Sequence, residues 1–112
     1  MILVFGGKYQ GKTEFARELD REPETGLDPV PDFSEEIRKV MAEGGDPDLY
    51  LESRLPELAG RVVLMNDYSQ GLVPMEADQR AYREACGRAM IRLARESREV
   101  YRVFCGIGSR IK

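Results

Sequence analysis

Residues 1–20 read MILVFGGKYQGKTEFARELD, and the succession of residue types in this stretch decides the fold. Ile2-Leu3-Val4-Phe5 is a continuous apolar run, partly β-branched and ended by Gly6-Gly7, as expected of a strand buried on both faces of a parallel sheet. From Lys12 the period changes: Phe15, Ala16 and Leu19 fall on one helical stripe, while Glu14, Arg17, Glu18 and Asp20 largely face outward. A strand, a glycine-rich bend and a helix therefore follow one another directly. The bend carries Gly6-x-x-x-x-Gly11-Lys12-Thr13.

Phosphate chemistry accounts for these residue types at this spacing. Glycines let a loop fold back and turn successive backbone N–H groups inward, and the following helix starts with unpaired N–H groups and the positive end of its dipole. Lys12 is placed to reach the β- and γ-phosphates of a nucleotide, and Thr13 to offer its hydroxyl to a bridging Mg²⁺ ion. A bare turn with a solvated lysine is the alternative, but a lysine in a helix's first turn opposes the dipole and has little structural reason to be there. Gly6, Gly7, Lys8, Tyr9, Gln10, Gly11, Lys12 and Thr13 are the candidate nucleotide-binding residues, although no spacing argument requires Tyr9 and Gln10 to touch the ligand.

Farther along, residues 21–32 are rich in proline and acids and read as a surface loop. A helix capped by Ser34 is expected to about Ala42 with Gly44-Gly45 as its stop, and a second from Asp46-Pro47 to Leu55, ended by Pro56. Arg61-Val62-Val63-Leu64-Met65-Asn66-Asp67 is the clearest second strand, and Asp67 stands at its polar carboxyl end, where open parallel sheets gather their ligands. Such an acid can hold a magnesium shell or orient a hydroxyl nucleophile; an ordinary turn or cap is the competing assignment. A long helix from about Glu76 to Ser97 carries Arg80, Arg83 and Arg88, which read mainly as a solvated face, and Glu99 to Cys105 reads as a third strand closed by Gly106-Ile107-Gly108. Alternating strands and helices indicate a single α/β domain over residues 1–112, with a short parallel sheet.

With 17 basic and 20 acidic side chains the formal net charge is −3, which argues against nucleic acid as the main partner. No apolar run approaches the ~20 residues of a membrane span, so no membrane partner is expected and the cytoplasm is the expected location. Cys86 and Cys105 are far apart, within an expected helix and strand, and read as buried thiols. Histidine is absent, which removes imidazole as base, covalent phosphate carrier or metal ligand.

Taken together, Gly6-Gly7-Lys8-Tyr9-Gln10-Gly11-Lys12-Thr13, the segment from Asn66-Asp67 to Gly71-Leu72-Val73-Pro74, Arg83-Glu84 with Gly87-Arg88, and the ending from Val103 through Gly106-Ile107-Gly108 to Ile111-Lys112 resemble the adenosylcobinamide kinase / adenosylcobinamide-phosphate guanylyltransferase family. The resemblance covers about half of the chain. It implies a small three-layer, RecA-like P-loop NTPase fold, usually a homotrimer, that phosphorylates the aminopropanol hydroxyl of adenosylcobinamide in cobalamin biosynthesis and salvage. By the same resemblance Gly11, Lys12 and Thr13 bind the nucleotide phosphates and Mg²⁺, and Asp67 stands where the family more often has glutamate. The family's guanylyl transfer runs through a histidine, so a chain without one is expected to lack that second activity. The chain also lacks the family's additional strand and acidic segment between the first helix and Arg61, for which Glu35, Glu36 or Asp48 are the available acids.

The expected activity is γ-phosphoryl transfer from ATP or GTP to a small-molecule hydroxyl, with Lys12 and Asp67 as catalytic residues and Thr13 and Asp67 toward the metal. A nucleotide-binding module without catalysis is the rival, and a structural protein with an empty loop the third.

Overall fold

In the computed structural model, which describes residues 1–7, 10–19, 29–67 and 77–112, the N-terminal apolar run forms strand β1 (Ile2–Gly6) and the motif leads into helix α1 (Lys12–Leu19). Two helices follow, α2 (Phe33–Ala42) and α3 (Pro47–Leu58), then β2 (Val62–Asn66), the long α4 (Ala77–Glu96), β3 (Glu99–Phe104) and β4 (Ile107–Arg110). The sheet order is β2-β1-β3-β4, with β1 parallel to both neighbours and β4 antiparallel to β3. The fold is thus α/β with a four-stranded mixed sheet.

Side-chain alternation along the strands builds two cores. Leu3, Val63, Met65 and Val100 point to one face, where Phe33 and Ile37 of α2, Leu51 and Leu58 of α3, and Ala85, Cys86, Ala89 and Leu93 of α4 cover them. Val4, Val62, Leu64 and Val103 point to the other, where Ala16 of α1 packs on them, flanked by Phe15 and Leu19. The small residues of α4 recur at helical spacing and let that helix lie close to the sheet. Its inward stripe begins at Ala85, and Ala81 is exposed.

Four expectations need correction. The chain does not close after the third strand: Cys105 (φ 51°) and Gly106 (φ 75°) form a two-residue turn, and Ile107–Arg110 returns along β3 with Phe104 opposite Ile107. This turn also overturns the buried assignment of Cys105, which is exposed, whereas Cys86 is buried as expected. Pro56 does not end α3, which runs on to Leu58. A proline inside a helix costs ~3 kcal/mol, but it falls in the last turn, and the full burial of Leu58 returns about 2 kcal/mol. The cap of α2 is Asp32 rather than Ser34, its carboxylate accepting from the Ser34 N–H at 3.0 Å.

Part of the expected loop at 21–32 is also structured. Val30 is 3% exposed and forms an isolated parallel bridge with Val63, its N–H donating to the Val62 carbonyl at 2.8 Å and its carbonyl accepting from the Leu64 N–H at 3.0 Å. The rest of that expectation, residues 21–28, and the segment 68–76 lie outside the described residues.

Candidate functional site

Because β2 and β3 pair with opposite sides of β1, the sheet changes direction at β1, and the crevice beyond its carboxyl end is where an open α/β sheet receives ligand. A cleft of about 130 Å³ lies there. Gly6, Gly7 and Gln10 form one wall, Asp67 another, and Arg102, Val103 and Phe104 at the end of β3 the third.

Two glycines in the wall answer to geometry. A Cβ on Gly6 would stand 2.4 Å from the Val103 carbonyl oxygen, so only glycine lets β1 and β3 approach this closely. Gly11 has φ +87°, the left-handed region that side chains disfavour, and from it the chain enters α1, the Phe15 N–H donating to the Gly11 carbonyl at 3.1 Å. Gln10 is fastened across the sheet: its carbonyl accepts from the Gly106 N–H at 2.7 Å, and its side-chain Oε1 accepts from the Cys105 N–H at 2.7 Å. Its amide oxygen is therefore a brace for the loop. Lys8 and Tyr9 lie outside the described residues.

Lys12 opens α1 and turns its Nζ back to donate to the Gly7 carbonyl at 2.5 Å. Burial pushes its ammonium pKa below the usual value, and the charge of Asp32 acts in the opposite direction. Thr13, in the first turn, is exposed. Asp67 is half-buried, and its backbone N–H donates to the Gly6 carbonyl at 2.9 Å, which binds the end of β2 to the start of the glycine loop.

The structure adds an acid that sequence reasoning left in a loop. Asp32 caps α2 through one carboxylate oxygen, which also accepts from the Ser34 hydroxyl, and its other oxygen accepts from Asn66 Nδ2 at 3.1 Å. Its charge reaches both Lys12 and the buried thiol of Cys86, whose pKa burial pushes up to about 11. Tyr82 extends the network by donating to the Ser34 carbonyl at 2.9 Å. The available signal was Asp32-Phe33-Ser34 at the head of the apolar period Phe33, Ile37, a helix-cap pattern.

The other acids suggested for this role are engaged elsewhere. Glu35 pairs with Arg38, Glu36 with Arg54 at 3.0 Å, and Asp48 with Arg88 at 3.2 Å. The pairing of Arg88 also takes it away from the cleft, and neither Arg80 nor Arg83 lines that cavity.

Among the described residues no group of three or more His, Cys, Asp or Glu side chains is arranged around a metal position. Thr13 and Asp67 are nonetheless hard oxygen donors of the kind Mg²⁺ prefers, and magnesium bound through a substrate's phosphates keeps several waters and needs only one or two protein oxygens. No helix among the described residues is long and apolar enough to cross a membrane. No protein-family model and no curated protein matches the chain.

Proposed function

We propose that the protein is a P-loop kinase that transfers the γ-phosphoryl group of ATP or GTP to the hydroxyl of a small molecule, adenosylcobinamide being the acceptor that the sequence resemblance favours. One observation carries this reading: Gly6, Gly7 and Gln10 of the glycine loop and Asp67 after the neighbouring strand line one cleft at the carboxyl end of β1, and Lys12, which does not line it, holds the Gly7 carbonyl of its wall. A phosphate-binding loop needs a helix N-terminus and a cation on one side and a carboxylate on the other, and both are present.

In this mechanism the loop N–H groups and Lys12 hold the β- and γ-phosphates, and Thr13 and Asp67 would hold the metal. Bound magnesium would supply charge neutralisation along the triphosphate. Asp67 orients the acceptor hydroxyl and takes its proton as the oxygen attacks the γ-phosphorus. The bond from that phosphorus to the β–γ bridging oxygen breaks, and the nucleoside diphosphate leaves with the electron pair. Catalysis rests on positioning and charge neutralisation. Lys12 must leave the Gly7 carbonyl to reach a phosphate, an exchange of a neutral acceptor for an anionic one that favours the bound state.

A nucleotide-binding module without transfer is the second reading. The missing additional strand between the first helix and Arg61 and the absence of histidine favour it. Incubation with γ-labelled ATP or GTP, Mg²⁺ and adenosylcobinamide separates the two. The kinase moves label to the acceptor, and Lys12→Ala abolishes that transfer; tight nucleotide binding with no label transferred supports the module.

A further inference from the structure

We propose that Arg102 is a catalytic residue of this transfer, the guanidinium that grips the migrating phosphoryl group and takes up its charge; the inference rests on the kinase reading above. Arg102 lies on β3 directly opposite Phe5 of β1, one residue before the glycine loop begins, and its side chain lines the cleft that Gly6, Gly7 and Asp67 also line.

Strand alternation fixes which side of the sheet it serves. On β3, Tyr101 and Val103 belong to the core under α1, so Arg102 shares the opposite face with Val100. On β2, Val63 and Met65 occupy that same face, and Asp67 continues their alternation just past the strand's end. Arg102 and Asp67 thus stand on one side of the sheet, on the two strands that flank β1. Lys12 arrives from the helix on the other side. A phosphoryl group held between them meets a cation from each side and a carboxylate beside the attacking oxygen.

Charge and place together mark this arginine: Arg17, Arg80, Arg95 and Arg102 have no carboxylate partner among the described residues, and of these four Arg102 lines the cleft. Arg38, Arg54, Arg88 and Arg92 each pair with a carboxylate, and Arg98 and Arg110 share Glu99. Among the described residues no carboxylate pairs with Arg102, although Asp67 lines the same cleft. Phe104, two residues on and 64% exposed, adds an apolar wall to this flank. An unpaired guanidinium offers two parallel N–H donors to phosphate oxygens, a geometry that an ammonium cannot reproduce. As the γ-phosphoryl passes from the bridging oxygen to the acceptor oxygen, its three equatorial oxygens carry the charge that this fork meets.

The test compares the wild-type chain with Arg102→Ala and Arg102→Lys, each checked for an unchanged circular dichroism spectrum. Label transfer from γ-labelled ATP and GTP is followed to adenosylcobinamide and, without acceptor, to water, and nucleotide affinity is measured by calorimetry. The expected result is a fall in kcat of ~10³-fold for Arg102→Ala, with nucleotide Kd changed less than about threefold, and only slight recovery in Arg102→Lys. Added guanidinium chloride at non-denaturing concentration restores part of the Arg102→Ala rate and leaves the wild type unaccelerated, a response that a merely structural arginine would not give. An Arg102→Ala kcat within about threefold of an active wild type overturns this inference alone, as does a rate loss that guanidinium leaves untouched. A wild type that binds nucleotide yet labels neither acceptor overturns the kinase reading, and this inference with it.

Discussion

The side-chain oxygen of Gln10 accepts the backbone N–H of Cys105 at 2.7 Å across a separation of 95 residues, so Gln10 is tied to the turn between β3 and β4. Gln10→Ala removes a hydrogen bond worth about 1 kcal/mol and is expected to lower Tm by ~4 °C. Gln10→Glu keeps an acceptor oxygen and should recover most of the loss. Amide exchange at Cys105 reads the same contact, and an unchanged exchange rate in Gln10→Ala would dismiss the brace.

Two glycine substitutions should move stability in opposite directions. Gly6→Ala forces a methyl to within 2.4 Å of a backbone carbonyl that cannot turn aside, at an expected cost above ~2 kcal/mol. Gly87 lies inside α4 with nothing within 4 Å of a built Cβ, and Gly87→Ala should add about 0.5–1 kcal/mol. Thermal unfolding of both variants checks the pair.

Burial holds the Lys12 ammonium below its usual pKa of 10.5, which gives a signed pH dependence. Below the folded pKa both folded and unfolded chains carry the proton and the full penalty is present; as pH rises from there to 10.5 the unfolded chain binds more protons, and stability increases. Lys12→Met should therefore raise Tm at pH 7 while eliminating phosphoryl transfer, with the Tm advantage shrinking toward pH 10.5. A Tm difference that stays constant over this range would contradict the assignment.

The two thiols should separate cleanly. Cys105 is exposed, whereas Cys86 is buried with its pKa pushed up to about 11, which leaves only about one thiolate in a thousand at pH 8. A chromogenic disulfide reagent at pH 8 is expected to titrate one thiol in the folded chain and two after denaturation. Rapid reaction of both without denaturant would refute the buried placement.

What could be read from the residues, and what could not, follows from the range of the forces involved. β1, α1 and β2 are legible because their periodicity is local: Ile2 to Phe5 and Val62 to Met65 are apolar runs, and Phe15, Ala16 and Leu19 repeat at helical spacing. Ile107–Arg110 has weak strand character of its own and becomes a strand through pairing with β3. Asp32 escaped for a similar reason, since its Asn66 partner lies 34 residues away. Gln10 stood inside the motif, but its role as a brace depends on a turn whose left-handed Cys105 no composition rule reveals.

Among the described residues, Val30 alone bridges the outer border of β2. A longer chain at that border could extend the ladder into a fifth parallel strand while leaving β1, its loop and the β3–β4 hairpin untouched. Growth of the sheet and preservation of the cleft beyond β1 are thereby decoupled, which makes this margin the natural point for enlarging or trimming the scaffold.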